Sequence, residues 1–162
     1  MNSSSRASFA LRRGRESDTQ GIYALSLRAL RGSAAGHYSG AQLDAWASLR
    51  TPESRARMIR DTFLLIAENG GRLCGFANLQ VETGPVDQLL VDPADSGRGI
   101  GASLLMALEE RAASASLTHV FAHASKRAVR VFEQCGYERL EVEQVSIDGE
   151  ILERFLVRKA LQ

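Results

Sequence analysis

Leu89-Leu90-Val91-Asp92-Pro93-Ala94-Asp95-Ser96-Gly97-Arg98-Gly99-Ile100-Gly101-Ala102 reads as a strand that enters a glycine-rich turn and leaves it as a helix. Glycine permits positive φ and lets a ligand approach the main chain closely. A helix N-terminus adds free N–H groups and a partial positive charge, so the two together form a site for a phosphate or pyrophosphate. A bare strand-to-helix turn needs no ligand, but it does not call for three glycines at alternate positions. A dinucleotide fingerprint matches Gly97-x-Gly99-x-x-Ala102, yet that site wants an acid at the end of the next strand and several further βα units. The next strand, His119-Val120-Phe121-Ala122-His123, carries no acid, and about 40 residues follow it. The third possibility is a coenzyme A site.

Outward from this turn, the pattern is mixed. Upstream, Ser8 to Arg12 reads as a short strand. Asp18 looks like the N-cap of a helix over Thr19 to Arg31, with Ile22, Leu25, Ala29 and Leu30 at helical spacing. Gly32-Ser33-Ala34-Ala35-Gly36 breaks it. Ser39 caps a second helix, Gly40 to Leu49, with Leu43, Trp46 and Ala47 on one face. Thr51-Pro52 starts a third. Thr62 to Glu68 and Arg72 to Val81 flank Asn69-Gly70-Gly71 as a hairpin. Val86 to Val91 is the strand that feeds the glycine turn.

Downstream, the helix from Gly97 runs to about Ser116, with Leu104, Leu105, Leu108 and Ala112 buried. His119 to Ala124 is a strand, and Ser125 caps a helix to Gln134 that Gly136 stops. Glu141 to Ile147 and Glu150 to Lys159 flank Asp148-Gly149 as a last hairpin. The order is an α/β fold with a mixed sheet of about seven strands and about four helices.

The length, 162 residues, suits one domain over 1–162, with residues 1–7 as a flexible terminus. Lys plus Arg number 20 and Asp plus Glu 19, giving a net charge of +1, which argues against nucleic acid as the partner. No apolar run approaches the about 20 residues a membrane span needs, and the start lacks a signal-peptide core. Cys74 and Cys135 have no metal spacing and read as buried free thiols, so no metal is expected and the compartment expected is the cytoplasm.

Ser96-Gly97-Arg98-Gly99-Ile100-Gly101 resembles the acyl-CoA-binding motif Q/R-x-x-G-x-G/A of the GNAT superfamily of N-acetyltransferases, with Ser96 where Gln or Arg is usual. A second block, Ser125-x-x-Ala128-x-x-x-Phe132-Glu133-x-x-Gly136-Tyr137, resembles that family's N-x-x-A-x-x-x-Y-E-K-x-G-F. Ser125 follows Ser96 by 29 residues, as in the family. His37-Tyr38-Ser39, Gln42-Leu43 and Ala45-Trp46-Ala47 resemble one group of small bacterial members.

The resemblance implies acetyl-CoA as cosubstrate, held where two parallel strands splay apart. Leu89, Leu90 and Val91 would hold the pantetheine arm and acetyl carbonyl. Gly97, Arg98, Gly99, Ile100, Gly101 and Ala102, with Ser96, would bind the pyrophosphate, and Ser125, Ala128 and Phe132 would complete the cofactor side. His37, Tyr38 and Trp46 would line the acceptor pocket. Lys126, Arg127 and Arg130 either touch the 3′-phosphate of CoA or form a solvated face. The acceptor would be a small-molecule amine or an exposed protein amine, and a homodimer is compatible.

Direct transfer requires a neutral amine. With a pKa of ~10.4, an alkylamine is about 1 part in 2,500 neutral at pH 7, a deficit of roughly 4.6 kcal/mol. A base therefore matters. Asp87 is the first candidate and His123 the second, since an ordinary imidazole titrates near 6.5; Glu82 and His37 are further options. The family's usual general acid, a tyrosine, is Phe132 here. A thiol pKa near 8.5 needs help worth only about two pK units at pH 7, so transfer without that tyrosine is feasible. Ser125 is then a hydrogen-bond donor to the cofactor or a plain N-cap, Tyr137 an alternative acid or a core aromatic, and Cys135 packing rather than a nucleophile. A non-catalytic acyl-CoA-binding protein on the same fold is the competing expectation.

Overall fold

The computed structural model describes residues 9–33 and 36–162. Its elements run β1 (Ala10–Arg13), α1 (Thr19–Ser33), α2 (Gly40–Ser48), α3 (Pro52–Asp61), β2 (Phe63–Asn69), β3 (Arg72–Leu79), β4 (Pro85–Val91), α4 (Ile100–Ser114), β5 (His119–Ser125), α5 (Ala128–Gln134), β6 (Glu138–Ile147) and β7 (Glu150–Ala160). The strands form one seven-stranded sheet in the order β1-β2-β3-β4-β5-β7-β6. Every pairing is antiparallel except β4–β5.

Period-2 alternation in β2 assigns the two faces. Leu64 and Ile66 pack with Ile22, Leu25 and Ile59 of α1 and α3. Leu65 and Ala67 belong to the opposite cluster, under Leu104, Leu105, Leu108 and Ala112 of α4 and Phe132 of α5. A third cluster seats α2 on β7 through Leu30, Tyr38 and Leu152, with Leu43 and Trp46 against them. Five α-helices therefore cover the two faces among the described residues, where about four were expected.

The local signals expected from the sequence recur with three corrections. Asp18 does not cap α1. It closes a short 3₁₀ turn, Glu16–Asp18, and its carboxylate accepts from the Arg15 backbone N–H at 2.7 Å and from Arg12 at 2.8 and 2.9 Å. Helix α4 begins at Ile100 rather than Gly97, because Gly97 and Gly99 both hold φ +78°, which no α-helix accepts. Cys74 is buried, but Cys135 is only half-buried. By contrast, Ser39 and Gln42 form a reciprocal capping box on α2, and Asp148-Gly149 turns the last hairpin with φ +48° and +77°. The expected start of β1 at Ser8, the terminus 1–7 and part of the glycine break at Ala34-Ala35 lie outside the described residues.

The parallel pair positions the site. β4 and β5 are joined only through Pro85↔Phe121 and Val86↔Ala122, and beyond these they separate. On its other side, β4 pairs Asn78↔Gln88 and then Leu79↔Val86, so Asp87 is an extra residue in the β3–β4 ladder. Such a bulge bends a strand and re-aims its side chains. The bend falls where β4 parts from β5.

Candidate active site

The gap between β4 and β5 opens into a cleft of about 660 Å³. Its walls are the splayed strands, the glycine turn with the start of α4, the β5–α5 junction, and the α2–α3 corner. The cleft gathers Asp87, Leu89, Leu90, Val91, Ser96, Gly97, Arg98, Gly99, Ile100, Gly101, Ala102, His123, Ser125, Ala128 and Phe132, with Trp46 at the α2 side. His37 is exposed and Tyr38 buried, and neither is among the lining residues. Tyr38 donates its hydroxyl to Glu153 O at 3.0 Å and accepts from the Lys126 backbone N–H at 3.0 Å. It ties the chain before α2 to β7 and to the β5–α5 turn, and its ring meets Trp46 edge-on at 4.8 Å.

The glycine turn is open where side chains would project. A Cβ built at Gly97 or Gly99 meets nothing within 4 Å. Ser103 N–H makes the first helical bond of α4, to Gly99 O at 3.0 Å, so the N–H groups of Ile100, Gly101 and Ala102 have no intrahelical acceptor. Gly101 serves packing instead: a Cβ there would lie 3.2 Å from Val131 Cγ1 of α5.

Two buried carboxylates brace this turn, and neither was singled out from the sequence. Asp95, 2% exposed, accepts from Arg72 at 2.7 and 2.8 Å and from Arg98 at 2.6 Å. The Arg72 hydrogen bonds hold its carboxyl below the usual range, with burial opposing and Arg98 assisting. Asp92 accepts from Arg28 at 2.9 and 3.1 Å and from the Ala94 backbone N–H at 3.0 Å. A motif shows the loop but not the side chains that hold it, since Arg28 and Arg72 come from α1 and β3.

Two titratable groups, Asp87 on β4 and His123 on β5, line the cleft. Asp87 Oδ2 accepts from Gln80 at 2.9 Å and Asn78 at 3.3 Å. His123 Nδ1 lies 2.8 Å from Glu143 Oε2, which also accepts from Arg154 Nε at 2.9 Å. Burial raises the Glu143 carboxyl, but the hydrogen bonds from His123 and Arg154 outweigh it and hold it low. Glu143 and Arg154 are cross-strand partners in β6 and β7.

At the β5–α5 junction the expected Ser125 cap is corrected: Ser125 ends β5 and Arg127 holds the cap position of α5, while Ser125 Oγ accepts from the Ala128 backbone N–H at 3.1 Å, which leaves its hydroxyl proton to donate. Phe132 packs edge-on against Tyr137 at 5.0 Å. Tyr137 is buried away from the cleft lining, and burial, with Glu109 adding to it, pushes its pKa far up. Cys135 lies outside the lining, and burial raises its thiol. Of the basic cluster, Arg127 lines the cleft, and Lys126 and Arg130 do not.

At the α2–α3 corner the cleft is walled by Arg50 and Arg55, which drew no attention in the sequence. Their signal is purely spatial: two arginines turned inward without acids.

A family model described as an acetyltransferase (GNAT) domain matches residues 34–149. The structure of a GCN5-related N-acetyltransferase from Rhodopseudomonas palustris, also named aminotransferase, class II, is 31% identical. It superposes with a TM-score of 0.89 over 94% of this chain and 95% of its own. The uncharacterized N-acetyltransferase YafP of Escherichia coli K12 is 27% identical over 141 residues, 87% of this chain and 89% of that protein. The PaiA N-acetyltransferase of Thermoplasma acidophilum, solved in complex with coenzyme A, shares the fold with a TM-score of 0.77 at 18% identity, over 94% of this chain and 99% of its own. The chain belongs to the GNAT acetyltransferase family, a class of acyltransferases.

Proposed function

We propose that this protein transfers the acetyl group of acetyl-CoA directly to a primary amine, in a ternary complex within the β4–β5 cleft. One observation carries the reading: the splayed strands and the open glycine cradle face the same cavity. The residues fit the cosubstrate. Backbone amides at the α4 N-terminus suit a pyrophosphate, and Gly97 and Gly99 leave room where any side chain would project. The exposed peptide edge of β4, from Leu89 to Val91, lies free of β5 and suits an extended amide-bearing arm.

When bound, the thioester supplies an activated acyl group; the chain supplies proton handling and position. His123 lines the cleft, and its Nδ1 is engaged by Glu143, so a neutral imidazole presents Nε2 as the proton acceptor. That arrangement favours His123 as the base over Asp87, the first candidate from sequence. Asp87, at its bulge on β4, orients the ammonium form. The ammonium gives one proton to His123; the neutral amine then forms the C–N bond as the C–S bond breaks, and its second proton passes to the departing thiolate, which leaves as CoA thiol. The Ser125 hydroxyl donates a hydrogen bond to that sulfur in place of the tyrosine absent at Phe132. Trp46 walls the acceptor side.

No helix among the described residues is long and apolar enough to cross a membrane, and a cytoplasmic site of action fits the free thiols. An acceptor screen reading out free CoA tests the function. Amine-dependent CoA release above background is expected. Tight acetyl-CoA binding with no release across a broad amine panel would overturn catalysis and leave a binding protein on this fold.

A further inference from the structure

We propose that Arg50 and Arg55 form an anion subsite that selects an acceptor amine carrying its own carboxylate. The proposal rests on the transferase reading and deepens it.

Arg55 is 5% exposed, and Arg50 is half-buried. Both line the cleft. Among the described residues neither pairs with an acid. Arg50 donates Nη1 to Trp46 O at 2.9 Å and lies over the Trp46 ring, 5.7 Å from its centre. Arg55 reaches only the Ser54 hydroxyl, at 3.3 Å. The Nε of Arg50 and the Nη1 of Arg55 are buried with no hydrogen-bond partner. Of the other guanidiniums lining the cleft, Arg98 is held by Asp95 and Arg154 by Glu143, while Arg127 is solvent-exposed.

Buried charge is normally paired, and buried donors are normally satisfied. Two adjacent cations, each bonded to a neutral acceptor, without an acid and with one buried donor unmet, suit an anion. Burial, reinforced by Arg55, pushes the Arg50 pKa down to about 10, so at neutral pH it still carries its charge. The planar fork of a guanidinium matches a carboxylate in two hydrogen bonds, which makes an oxyanion the natural occupant. The pyrophosphate of CoA is already served by the glycine turn on another wall of the same cleft. The cleft lining therefore holds both a cationic pair, Arg50 and Arg55, and the acid–base pair Asp87 and His123, and Arg55 and Asp87 also line one adjoining cavity. That mixture fits a zwitterion: carboxylate to the arginines, ammonium to the acid and base.

The test separates this subsite from the transfer reaction. Protein saturated with CoA is titrated with L-α-amino acids, with β-alanine and with the matching carboxamides. Binding is read from the emission of Trp46, the one tryptophan in the chain. At least one acid is expected to bind at least ~10-fold more tightly than its amide, and Arg55→Met to erase that preference. If Arg55→Met does not fold, Arg50→Gln replaces it, and the acid–amide comparison on unaltered protein stands without either. Equal binding of acids and amides, or no binding by any acid, overturns the subsite. A second arm measures CoA release from acetyl-CoA with the same panel. Acid-selective binding without release overturns the transferase reading and keeps the subsite. Release that is equal for acids and amides keeps the transferase and overturns the subsite.

Discussion

Glu143 Oε2 lies 2.8 Å from His123 Nδ1, across two strands of the sheet, and Arg154 Nε holds the same oxygen at 2.9 Å. The imidazole is thereby fixed in ring orientation and tautomer, with Nε2 left to exchange protons. In the proposed transfer the carboxylate would also stabilise the imidazolium formed when the amine is deprotonated. His123→Gln is expected to lower kcat by about 10²-fold, the low end for loss of a general base. Glu143→Gln keeps an acceptor but loses the charge that faces the imidazole, so kcat is expected to fall about 10-fold or more. Unchanged kcat in both variants would pass the role of base to Asp87.

The glycine turn gives a sharper contrast. Gly97 has φ +78° with open space where a side chain would project. Gly97→Ala then costs only the left-handed backbone penalty, about 1–2 kcal/mol. Gly97→Glu adds a carboxylate at the pyrophosphate position and is expected to abolish CoA binding in isothermal titration. Retained affinity in Gly97→Glu would refute the phosphate site.

Asp95 links the turn to the sheet, bridging Arg72 and Arg98. Asp95→Asn leaves two cations without their shared anion and is expected to cost about 2 kcal/mol, scaled down because Arg72 is half exposed. CoA affinity should drop about 10-fold as the loop loosens. The same carboxylate predicts acid sensitivity. Asp95 and Asp18 both have folded pKa values below the ordinary range, held there by Arg72 and Arg12 respectively. Their stabilisation is complete above the unfolded value near 3.9 and is lost as pH falls below it. Urea midpoints measured from pH 7 to pH 3 should fall below about pH 4 in the parent protein. The drop should be shallower in Asp95→Asn.

The legibility of this protein follows the range of each interaction. Capping at Ser39 and Thr51, the Asp148-Gly149 turn and the buried stripe of α4 depend on neighbours a few residues away, so their spacing in the chain suffices. The glycine turn is equally local, and it led to the cleft. What could not be read joins distant segments. Arg28 meets Asp92 across 64 positions, Tyr38 meets Glu153 across 115, and Arg50 and Arg55 matter only because the α2–α3 corner folds onto the same cleft as β4 and β5. The family resemblance implies Tyr38 in the acceptor pocket; the backbone groups of Glu153 and Lys126 draw it inward instead.

Tyr38→Phe tests that placement. The ring contact with Trp46 survives, while Glu153 O and Lys126 N–H each lose a buried partner. The expected cost is about 1–3 kcal/mol in chemical denaturation, with acceptor KM changed less than twofold. A large KM effect at unchanged stability would return Tyr38 to the acceptor pocket.

Arg50→Met sets stability against function. The guanidinium is buried beside a like charge, and burial is the main reason its pKa is pushed down to about 10. A basic group with a depressed folded pKa destabilises the fold wherever the unfolded chain would hold the proton and the folded chain resists it. That penalty is complete below about pH 10 and is relieved as pH rises above it. Methionine fills similar volume without charge, so the variant should melt higher than the parent by several degrees at pH 7, an effect of about 1–3 kcal/mol. The difference should hold from pH 6 to 9 and shrink above 10. A lower melting temperature would mean that Arg50 is stabilised by its Trp46 contacts more than it is penalised by burial beside Arg55. A higher one, accompanied by loss of acid-over-amide discrimination, would show two cations kept in the wall of the cleft at the expense of the fold for what they bind.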